Sequence, residues 1–322
     1  MKFGYTLMCE QAGPAQLVRD AAAAEEAGFD FAVISDHYFP WLTEQGHAPF
    51  AWSVLGAVAQ ATDALPLMTF VTCPIRRYHP VVVAQMAATT ALLAPGRFSL
   101  GLGAGENLNE HVVGGGWPPV DVRHEMLTEA VQIIRDLWQG QEITRHGRHF
   151  QVQNARVFDL PDNAPPVGIA ASGPASCRLA GTHADALIAV EPDSELVSCF
   201  RVAGGTGKPC YGQQPMAYDA DRAVAVARAH RQFRWFGAGW RVNAELAGPA
   251  AFDAASRYVR AEDVAESIPC GDDVQAVVAA ARKWAQAGFT HLALLQIGGD
   301  AQQDYLAWAE KELLPELRAA LQ

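Results

Sequence analysis

The residues best suited to chemistry are an acid and an imidazole that stand together after a short apolar run. Residues 31–34 read Phe-Ala-Val-Ile, and Asp36 and His37 follow them after a single serine. Trp41 places a large aromatic ring shortly beyond His37. An acid and an imidazole at the end of a buried strand are costly to desolvate unless they are paired or used. A structural role is the alternative, with Asp36 capping a loop and His37 packed in the core.

A second acid, Glu106, follows another apolar run at residues 98–102. A carboxyl group and an imidazole at one site can act as acid and base in proton transfer, provided that their surroundings keep one of them protonated and the other deprotonated. Removal of a hydride from an alcohol carbon needs such a base for the hydroxyl proton, so Glu106 and His37 together favour hydride transfer. The backbone can also approach a planar ligand closely at three glycines, which equally relieve crowding where strands end: Gly101, Gly103 and Gly105.

A third candidate is the turn made by Ser172, Gly173 and Pro174, ahead of a helix predicted from Ala175. Backbone N–H groups and the positive end of the helix dipole make the start of a helix a natural anion site. An ordinary helix cap is the alternative. Taken together, the three groups suggest a flat cofactor that lies across the ends of the strands, with an anionic tail over this turn.

The elements that must position these residues alternate along most of the chain. Apolar runs predict strands at 3–8, 31–34, 67–72, 98–102, 167–170, 186–190, 209–218 and 291–296. Helical periodicity and caps predict helices at 14–27, 51–61, 79–93, 125–138, 175–183, 221–233, 272–287 and 302–321. Eight buried strands separated by helices predict an α/β protein with a (β/α)₈ TIM barrel, whose active site lies where the strands end. A doubly wound sheet is disfavoured because no Gly-x-Gly-x-x-Gly follows the first strand.

The chain is expected to form a single domain over 1–322. An insertion is expected at about 107–160, with a hairpin at 142–152, and a helical cover segment over the barrel mouth at about 235–265. The formal charge of -11 argues against nucleic acid or an anionic membrane surface as the main partner. The six scattered cysteines have no metal-ligand spacing and are typical of a reduced, cytoplasmic protein that binds no metal.

The ordered combination of motifs resembles the luciferase-like oxidoreductases, and within them the group of coenzyme F420-dependent glucose-6-phosphate dehydrogenases. The matching stretches are Ser-Asp-His at 35–37 with Trp41, Thr-Cys-Pro at 72–74, Gly-Leu-Gly-Ala-Gly-Glu-Asn-Leu-Asn-Glu at 101–110, and Ala-Ser-Gly-Pro-Ala at 171–175. The resemblance covers nearly the whole chain. It implies a TIM barrel that forms a homodimer and binds the deazaflavin coenzyme F420, which carries hydride at its C5.

The resemblance also implies roles for individual residues. His37 and Glu106 would be the catalytic acid and base, and Trp41 would stabilise charge that develops beside the ring. A cis peptide bond between Phe70 and Val71 would support the cofactor ring. The other residues expected to contact the cofactor are Asp36, Thr72, Cys73, Gly105, Asn109, Ala171, Ser172, Gly173 and Pro174, and those expected to contact the substrate are Trp41, Glu106 and Glu191.

The substrate is where the sequence departs from the sugar-phosphate members of this group. Those members carry basic residues after the sixth strand and in the cover segment, whereas this chain has Glu191-Pro-Asp-Ser-Glu at 191–195 and a second acidic stretch at 261–267. Acids at these positions repel a phosphate dianion. Basic residues are present nearby, but their spacing does not require a phosphate site: Arg201, Lys208, Arg257 and Arg260.

The sequence therefore predicts an F420-dependent oxidoreductase that acts on an uncharged alcohol, a ketone or an unphosphorylated sugar. Three alternatives remain open. The first is a glucose-6-phosphate dehydrogenase that binds its phosphate elsewhere, and the second is a monooxygenase that uses FMN and oxygen. The third is a barrel that binds a cofactor or partner without turnover.

Overall fold

A computed structural model describes residues 1–321. Its strands are β1 (Lys2–Leu7), β2 (Phe31–Ile34), β3 (Leu67–Thr69), β4 (Phe98–Leu102), β5 (Ile143–His146), β6 (Gln151–Ala155), β7 (Val167–Ala170), β8 (Ala186–Ala189), β9 (Cys210–Met216) and β10 (His291–Gln296). All of them except β5 and β6 are parallel and form one closed barrel in chain order. The barrel closes between its first and last strands, where Lys2 is in register with His291. The predicted TIM barrel is confirmed.

The helices surround the barrel and cover one of its ends. They are α1 (Pro14–Glu26), α2 (Ala51–Ala61), α3 (Pro80–Leu93), α4 (Asn107–Glu110), α5 (Val120–Leu137), α6 (Pro174–His183), α7 (Ser194–Phe200), α8 (Arg222–Phe233), α9 (Trp240–Asn243), α10 (Pro249–Ser256), α11 (Ala261–Ser267), α12 (Val274–Ala287), α13 (Gln302–Trp308) and α14 (Leu314–Ala320). No helix in the described part of the chain is long and apolar enough to cross a membrane.

Several predicted helices begin one or two residues early because their first residues are caps. The carboxylates of Asp221 and Asp273 accept backbone N–H groups from the first turns of α8 and α12. Asp193 does the same for α7, a helix that the sequence analysis missed. The helix predicted at 125–138 starts instead at Val120, directly after Pro119.

The third strand is shorter than predicted. It ends at Thr69, and the cis peptide bond between Phe70 and Val71 follows, as the resemblance implies. The chain returns to the sheet only at Thr72, which forms an isolated bridge with Leu102 of β4. This irregular segment lies at the end of the barrel where the predicted site residues collect.

The interior of the barrel is filled by side chains from opposite walls. Phe31 and Val33 of β2 contact Met68, Ile188 and Ala293, which come from β3, β8 and β10. Strands on opposite sides can make such contacts only through the barrel interior, so the barrel has a packed core.

The role of Gly101, left open by the sequence, is decided by its neighbour. A Cβ atom on Gly101 would lie 1.9 Å from the carbonyl oxygen of Thr69. The two strands could not approach each other with any larger residue at this position. Gly101 is therefore a packing glycine between β3 and β4.

The predicted cover segment is helical and is attached to the loop that follows β2. Arg234 bridges Glu44 in that loop, at 2.9 Å, and Asp253 of α10, at 2.7 Å. The ring of Trp235 stacks on Trp41 with centroids 4.0 Å apart and planes 8° from parallel. The hairpin of β5 and β6 lies outside the barrel and pairs only with itself. The cover segment thus closes over the loop that carries His37.

Candidate active site

The predicted site residues gather around a cavity of about 380 Å³ at the carboxyl ends of the barrel strands. The cavity wall combines residues that follow β1, β2, β4, β7 and β8 with aromatic residues of the cover segment. The predicted residues that line it are His37, Trp41, Phe70, Val71, Gly105, Glu106, Ala171, Ser172 and Glu191. The remaining predicted residues do not line it: Asp36, Thr72, Cys73, Asn109, Gly173 and Pro174.

His37 lies between two carboxylates. Its Nε2 atom is 3.5 Å from an oxygen of Glu106, and its Nδ1 atom is 3.1 Å from an oxygen of Glu10. The second distance suits an ion pair. Nδ1 has no hydrogen-bond partner among the described residues, so this contact does not have the angle of a hydrogen bond. Glu10 is 1% exposed and its other oxygen accepts a hydrogen bond from Ser35 at 2.5 Å. The imidazole therefore has a fixed acid on one side and the Glu106 carboxyl group on the other.

Glu106 is held so that it can exchange a proton. Burial raises the pKa of Glu106 above its usual range, although the nearby His37 and a hydrogen bond from Asn109 act in the opposite direction. Asn109 donates from Nδ2 to Glu106 at 2.8 Å and accepts the backbone N–H of Tyr38 at 2.8 Å. Asn109 thus fixes Glu106 to the chain that follows His37, and the contact between Asn109 and the cofactor stays a prediction.

Asp36 organises the strand ends and does not reach the cavity. One carboxylate oxygen accepts hydrogen bonds from Thr72, at 2.7 Å, and from the indole of Trp52, at 3.2 Å. The other accepts from Arg77 at 3.0 Å and from the hydroxyl of Tyr78 at 3.1 Å. A carboxylate with this many partners has little capacity left for a ligand. The contact between Asp36 and a cofactor that the resemblance implies therefore stays a prediction.

Thr72 and Cys73 stand in the same layer. The Thr72 hydroxyl is used by Asp36, and Cys73 is buried with its sulfur facing Gly105, where a Cβ atom would approach it to 2.4 Å. Gly105 has a φ of +79°, a conformation that favours glycine. These residues shape the wall from behind, while Gly105 itself lines the cavity.

The turn before α6 is capped by its own helix. The hydroxyl of Ser176 accepts the backbone N–H groups of Ser172 and Gly173, both at 3.2 Å. These two N–H groups are therefore not free, which agrees with the alternative of an ordinary helix cap, and an anion contact at this turn stays a prediction. Ala171, Ser172 and Ser176 nevertheless line the cavity, so a ligand in it would lie against the start of α6.

Trp41 forms one side of an aromatic cage. Its ring centroid is 4.9 Å from that of His37, and the face that stacks on Trp235 makes a wall shared with the cover segment. Phe236 and Trp240 extend this wall along the same segment. The side of the cavity that Trp41 forms beside His37 is therefore apolar, which keeps water from the imidazole on that side.

The lining residues that sequence reasoning missed include Glu10, Trp235 and Arg123. Glu10 follows the first strand and was detectable as an acid after a buried run, as His37 was. Trp235 and Arg123 carry no such signal, because the parts of the chain that hold them approach the cavity only through tertiary packing. No cluster of three or more His, Cys, Asp or Glu side chains within residues 1–321 is arranged to hold a metal ion.

Comparison with known proteins places this site in a family. The sequence model of the luciferase-like monooxygenase family matches residues 1–291. An F420-dependent glucose-6-phosphate dehydrogenase of Nakamurella multipartita is 36% identical, with 99% of this chain and 97% of that protein covered. One from Mycobacterium avium is 34% identical, with 99% and 98% covered.

Solved structures agree with the sequence relatives. An F420-dependent secondary alcohol dehydrogenase in complex with an F420–acetone adduct superimposes with a TM-score of 0.89 at 28% identity, over 98% of this chain and 99% of that chain. An F420-dependent tetrahydromethanopterin reductase from Methanopyrus kandleri has the same fold, with a TM-score of 0.75 at 18% identity over 98% and 99% of the two chains. The chain belongs to the luciferase-like family.

Proposed function

We propose that this protein transfers hydride between coenzyme F420 and the carbon of an uncharged alcohol or ketone, with His37 as the proton acceptor and donor. The observation that carries the proposal is the position of His37 between Glu10 and Glu106 at the cavity wall. Full-length relatives at 34–36% identity are F420-dependent dehydrogenases. The chain is an F420-dependent oxidoreductase.

The cavity residues fit a flat deazaflavin. Phe70 and Val71 present one wall of the cavity, and Gly103 leaves room beside Val71, where a Cβ atom would come within 2.6 Å of a Val71 methyl group. These residues and Gly105 would hold the ring, while Ser172 and Ser176 would lie along the side chain of the cofactor. The deazaflavin supplies a ring carbon that accepts or returns hydride.

The residues of the chain manage the proton that accompanies the hydride. In alcohol oxidation, the hydroxyl O–H bond breaks toward Nε2 of His37 while the C–H electron pair leaves as hydride, and a carbonyl double bond forms. The buried carboxylate of Glu10, at 3.1 Å from Nδ1, stabilises the positive charge that the imidazole acquires. Glu106 stands beside Nε2 and can pass the proton onward. Reduction of a ketone reverses each transfer.

The charge of the cavity supports an uncharged substrate. Glu191 lines the cavity, as expected for the region that carries bases in the sugar-phosphate relatives. None of the four basic residues considered above lines it. Three of them are already engaged: Arg201 donates to the carbonyl of Gly288, Lys208 donates to the carbonyl of Ala184, and Arg260 pairs with Asp263. The apolar wall of Trp41 and Trp235 suits a hydrocarbon substituent.

Glucose 6-phosphate is the second candidate. It is favoured by the activity printed for the full-length relatives and by two cations that do line the cavity, Arg123 and Lys283. A panel of secondary alcohols, sugars and sugar phosphates separates the two candidate substrates. Turnover of each compound is measured as the loss of F420 absorbance. Turnover restricted to sugar phosphates would refute the uncharged substrate.

His37→Ala tests the assigned base. We expect kcat to fall by about 10²- to 10⁴-fold while the Kd for F420 stays within a few fold, since His37 acts on the proton. A loss confined to F420 binding would contradict the assignment.

Titration with FMN beside F420 tests the monooxygenase alternative, which requires that the protein bind FMN in preference to F420. A barrel without turnover predicts no hydride transfer to any member of the panel.

The proposal also includes a homodimer of single-domain chains that acts in the cytoplasm. The resemblance to the F420-dependent dehydrogenases supports it. Sedimentation equilibrium of the purified protein tests the dimer, and a mass equal to one chain would refute it.

A further inference from the structure

Arg234 is a buried cation that joins three segments of the chain next to the aromatic wall of the cavity. Its side chain is 10% exposed, and its Nη2 atom pairs with Glu44 at 2.9 Å and with Asp253 at 2.7 Å. Its Nη1 atom donates to the backbone carbonyl of Arg231 at 2.7 Å, within its own segment. One guanidinium thus ties the loop after β2 and helix α10 to the turn that leads into the cover segment.

The residues that Arg234 connects stand beside the rings that contact Trp41. Trp235 directly follows Arg234 and stacks on Trp41, with ring centroids 4.0 Å apart. Phe252 directly precedes Asp253 and packs against the same indole with its edge, at 5.1 Å between centroids and 83° between planes. The ion pairs and the ring contacts therefore join the same three segments.

The loop after β2 links the position of Glu44 to the position of Trp41. The carboxamide oxygen of Gln45 accepts the backbone N–H groups of Trp41, at 2.8 Å, and of Leu42, at 3.2 Å. Gln45 is itself 5% exposed, so water does not compete for these bonds. Glu44 and Trp41 belong to one tight turn, and an ion pair at Glu44 therefore constrains the indole of Trp41.

The ring contacts alone would not fix the wall in one position. Burial of apolar surface is non-directional, so stacked rings can slide over each other, whereas charge-assisted hydrogen bonds have a preferred distance and angle. The carboxylates of Glu44 and Asp253 are 41% and 51% exposed. Salt can therefore screen these two ion pairs, while it leaves the buried rings unaffected.

We propose that Arg234 is a positioning residue, which fixes Trp41 and Trp235 as the wall against which the substrate binds. Trp41 and Trp235 line the cavity and Arg234 does not, so Arg234 acts through the two rings. That the substrate contacts this wall rests on the proposed function. His37 is held by two carboxylates of its own, so loss of Arg234 should change substrate binding more than proton transfer.

The test compares Arg234→Met with Arg234→Lys and with a control, Arg260→Met. Arg260 also lies in the cover segment, but it is 71% exposed and pairs with Asp263, three residues further along the chain. Hydrogen exchange of the cofactor-free protein, followed by mass spectrometry, reports local opening without any turnover. We expect Arg234→Met to speed exchange by about three- to thirtyfold in residues 38–46 and 235–256, since hydrogen bonds to two half-exposed carboxylates are lost. Exchange in the barrel strands and in the hairpin of β5 and β6 should not change.

Steady-state kinetics at saturating F420 connect the wall to the substrate. The KM for the alcohol identified by the substrate panel should rise by about three- to tenfold in Arg234→Met, while kcat and the Kd for F420 stay within twofold. Arg234→Lys should restore part of the KM, because the charge returns without the planar arrangement of donors. Sodium chloride should raise the KM of the wild type but not that of Arg234→Met, because an uncharged substrate adds no salt dependence of its own. Arg260→Met should match the wild type in both measurements.

The two measurements together decide the proposal. Unaltered exchange in Arg234→Met would overturn it, because Arg234 would not hold the wall. Faster exchange with an unaltered KM would also overturn it, because the substrate would not contact the wall. Equal acceleration in the barrel strands would show a general structural role and would count against it in the same way. If no alcohol is turned over, the proposed function fails by itself, and the exchange measurement still decides whether Arg234 holds the segments that carry the two rings.

Discussion

Replacement of Glu10 by glutamine tests the arrangement around His37 most directly. Glu10 is 1% exposed and its carboxylate is 3.1 Å from Nδ1 of His37. The substitution keeps the shape of the side chain and removes its charge. Glu10 contacts the imidazole on the side away from Glu106, so its effect on the reaction passes through His37, and Glu10 is a positioning residue.

The size of the effect follows from the distance. Two unit charges about 3 Å apart, at the effective dielectric constant of about 20 that suits protein sites, attract each other by about 5 kcal/mol. The amide dipole of glutamine retains part of this attraction. We therefore expect a loss of about 2–4 kcal/mol in the transition state that carries the imidazolium, or about 30- to 1000-fold in kcat.

The assay is single-turnover reduction of bound F420 by a saturating alcohol, with the Kd for F420 measured in parallel. The loss should lie in kcat, with KM and Kd within a few fold. A double-mutant cycle with His37→Ala isolates the interaction, because glutamine at position 10 should have almost no effect once the imidazole is absent. A change in kcat of less than threefold, or an equal loss in both backgrounds, would refute the proposed role of Glu10.

Two further predictions concern the other carboxyl groups. Burial raises the pKa of Glu106, so the limb of the pH–rate profile that it controls should lie above the usual range near 4.5; Glu106→Gln should abolish that limb and lower kcat by about 10²-fold, and a profile with both limbs intact would contradict this. Burial also raises the pKa of Glu110 from 4.5 to about 7, against the opposing effect of Arg77. The folded protein therefore keeps a proton that the unfolded chain loses, and the free energy of unfolding should fall by up to about 3 kcal/mol as the pH rises from about 4.5 to about 7. Urea unfolding at both ends of this range should show that this decrease is absent in Glu110→Gln, and the same decrease in the variant would disprove the assignment.

Local sequence determined the barrel and the positions of the two proposed acid–base residues, His37 and Glu106. An apolar run with β-branched residues, such as Phe31–Ile34, favours a strand that is buried on both faces. Eight such runs separated by helices are compatible with few folds. His37 and Glu106 follow two of these runs, and parallel strands bring their ends to one side. The sequence therefore predicts that His37 and Glu106 lie close together, but it does not predict the distance of 3.5 Å between them.

Side-chain partners were not predictable in the same way. The resemblance predicts a contact between Asp36 and the cofactor, but only the structure shows that the Asp36 carboxylate already accepts hydrogen bonds from Thr72 and Arg77. The N–H groups before α6 looked free because no pattern reveals that Ser176 turns back to accept them. Each depends on which way a side chain points, which the sequence does not specify.

The sequence alone thus determined the fold, because burial and periodicity act along the chain, and its ordered motifs indicated the family and the proposed acid–base pair. Only the tertiary structure decided that Glu10 flanks His37, that Trp235 stacks on Trp41, and that Arg123 enters the cavity wall. These contacts join segments far apart in the sequence. The physical reason is that such contacts depend on how the loops and the cover segment pack over the barrel mouth, and no local pattern of residues encodes that packing.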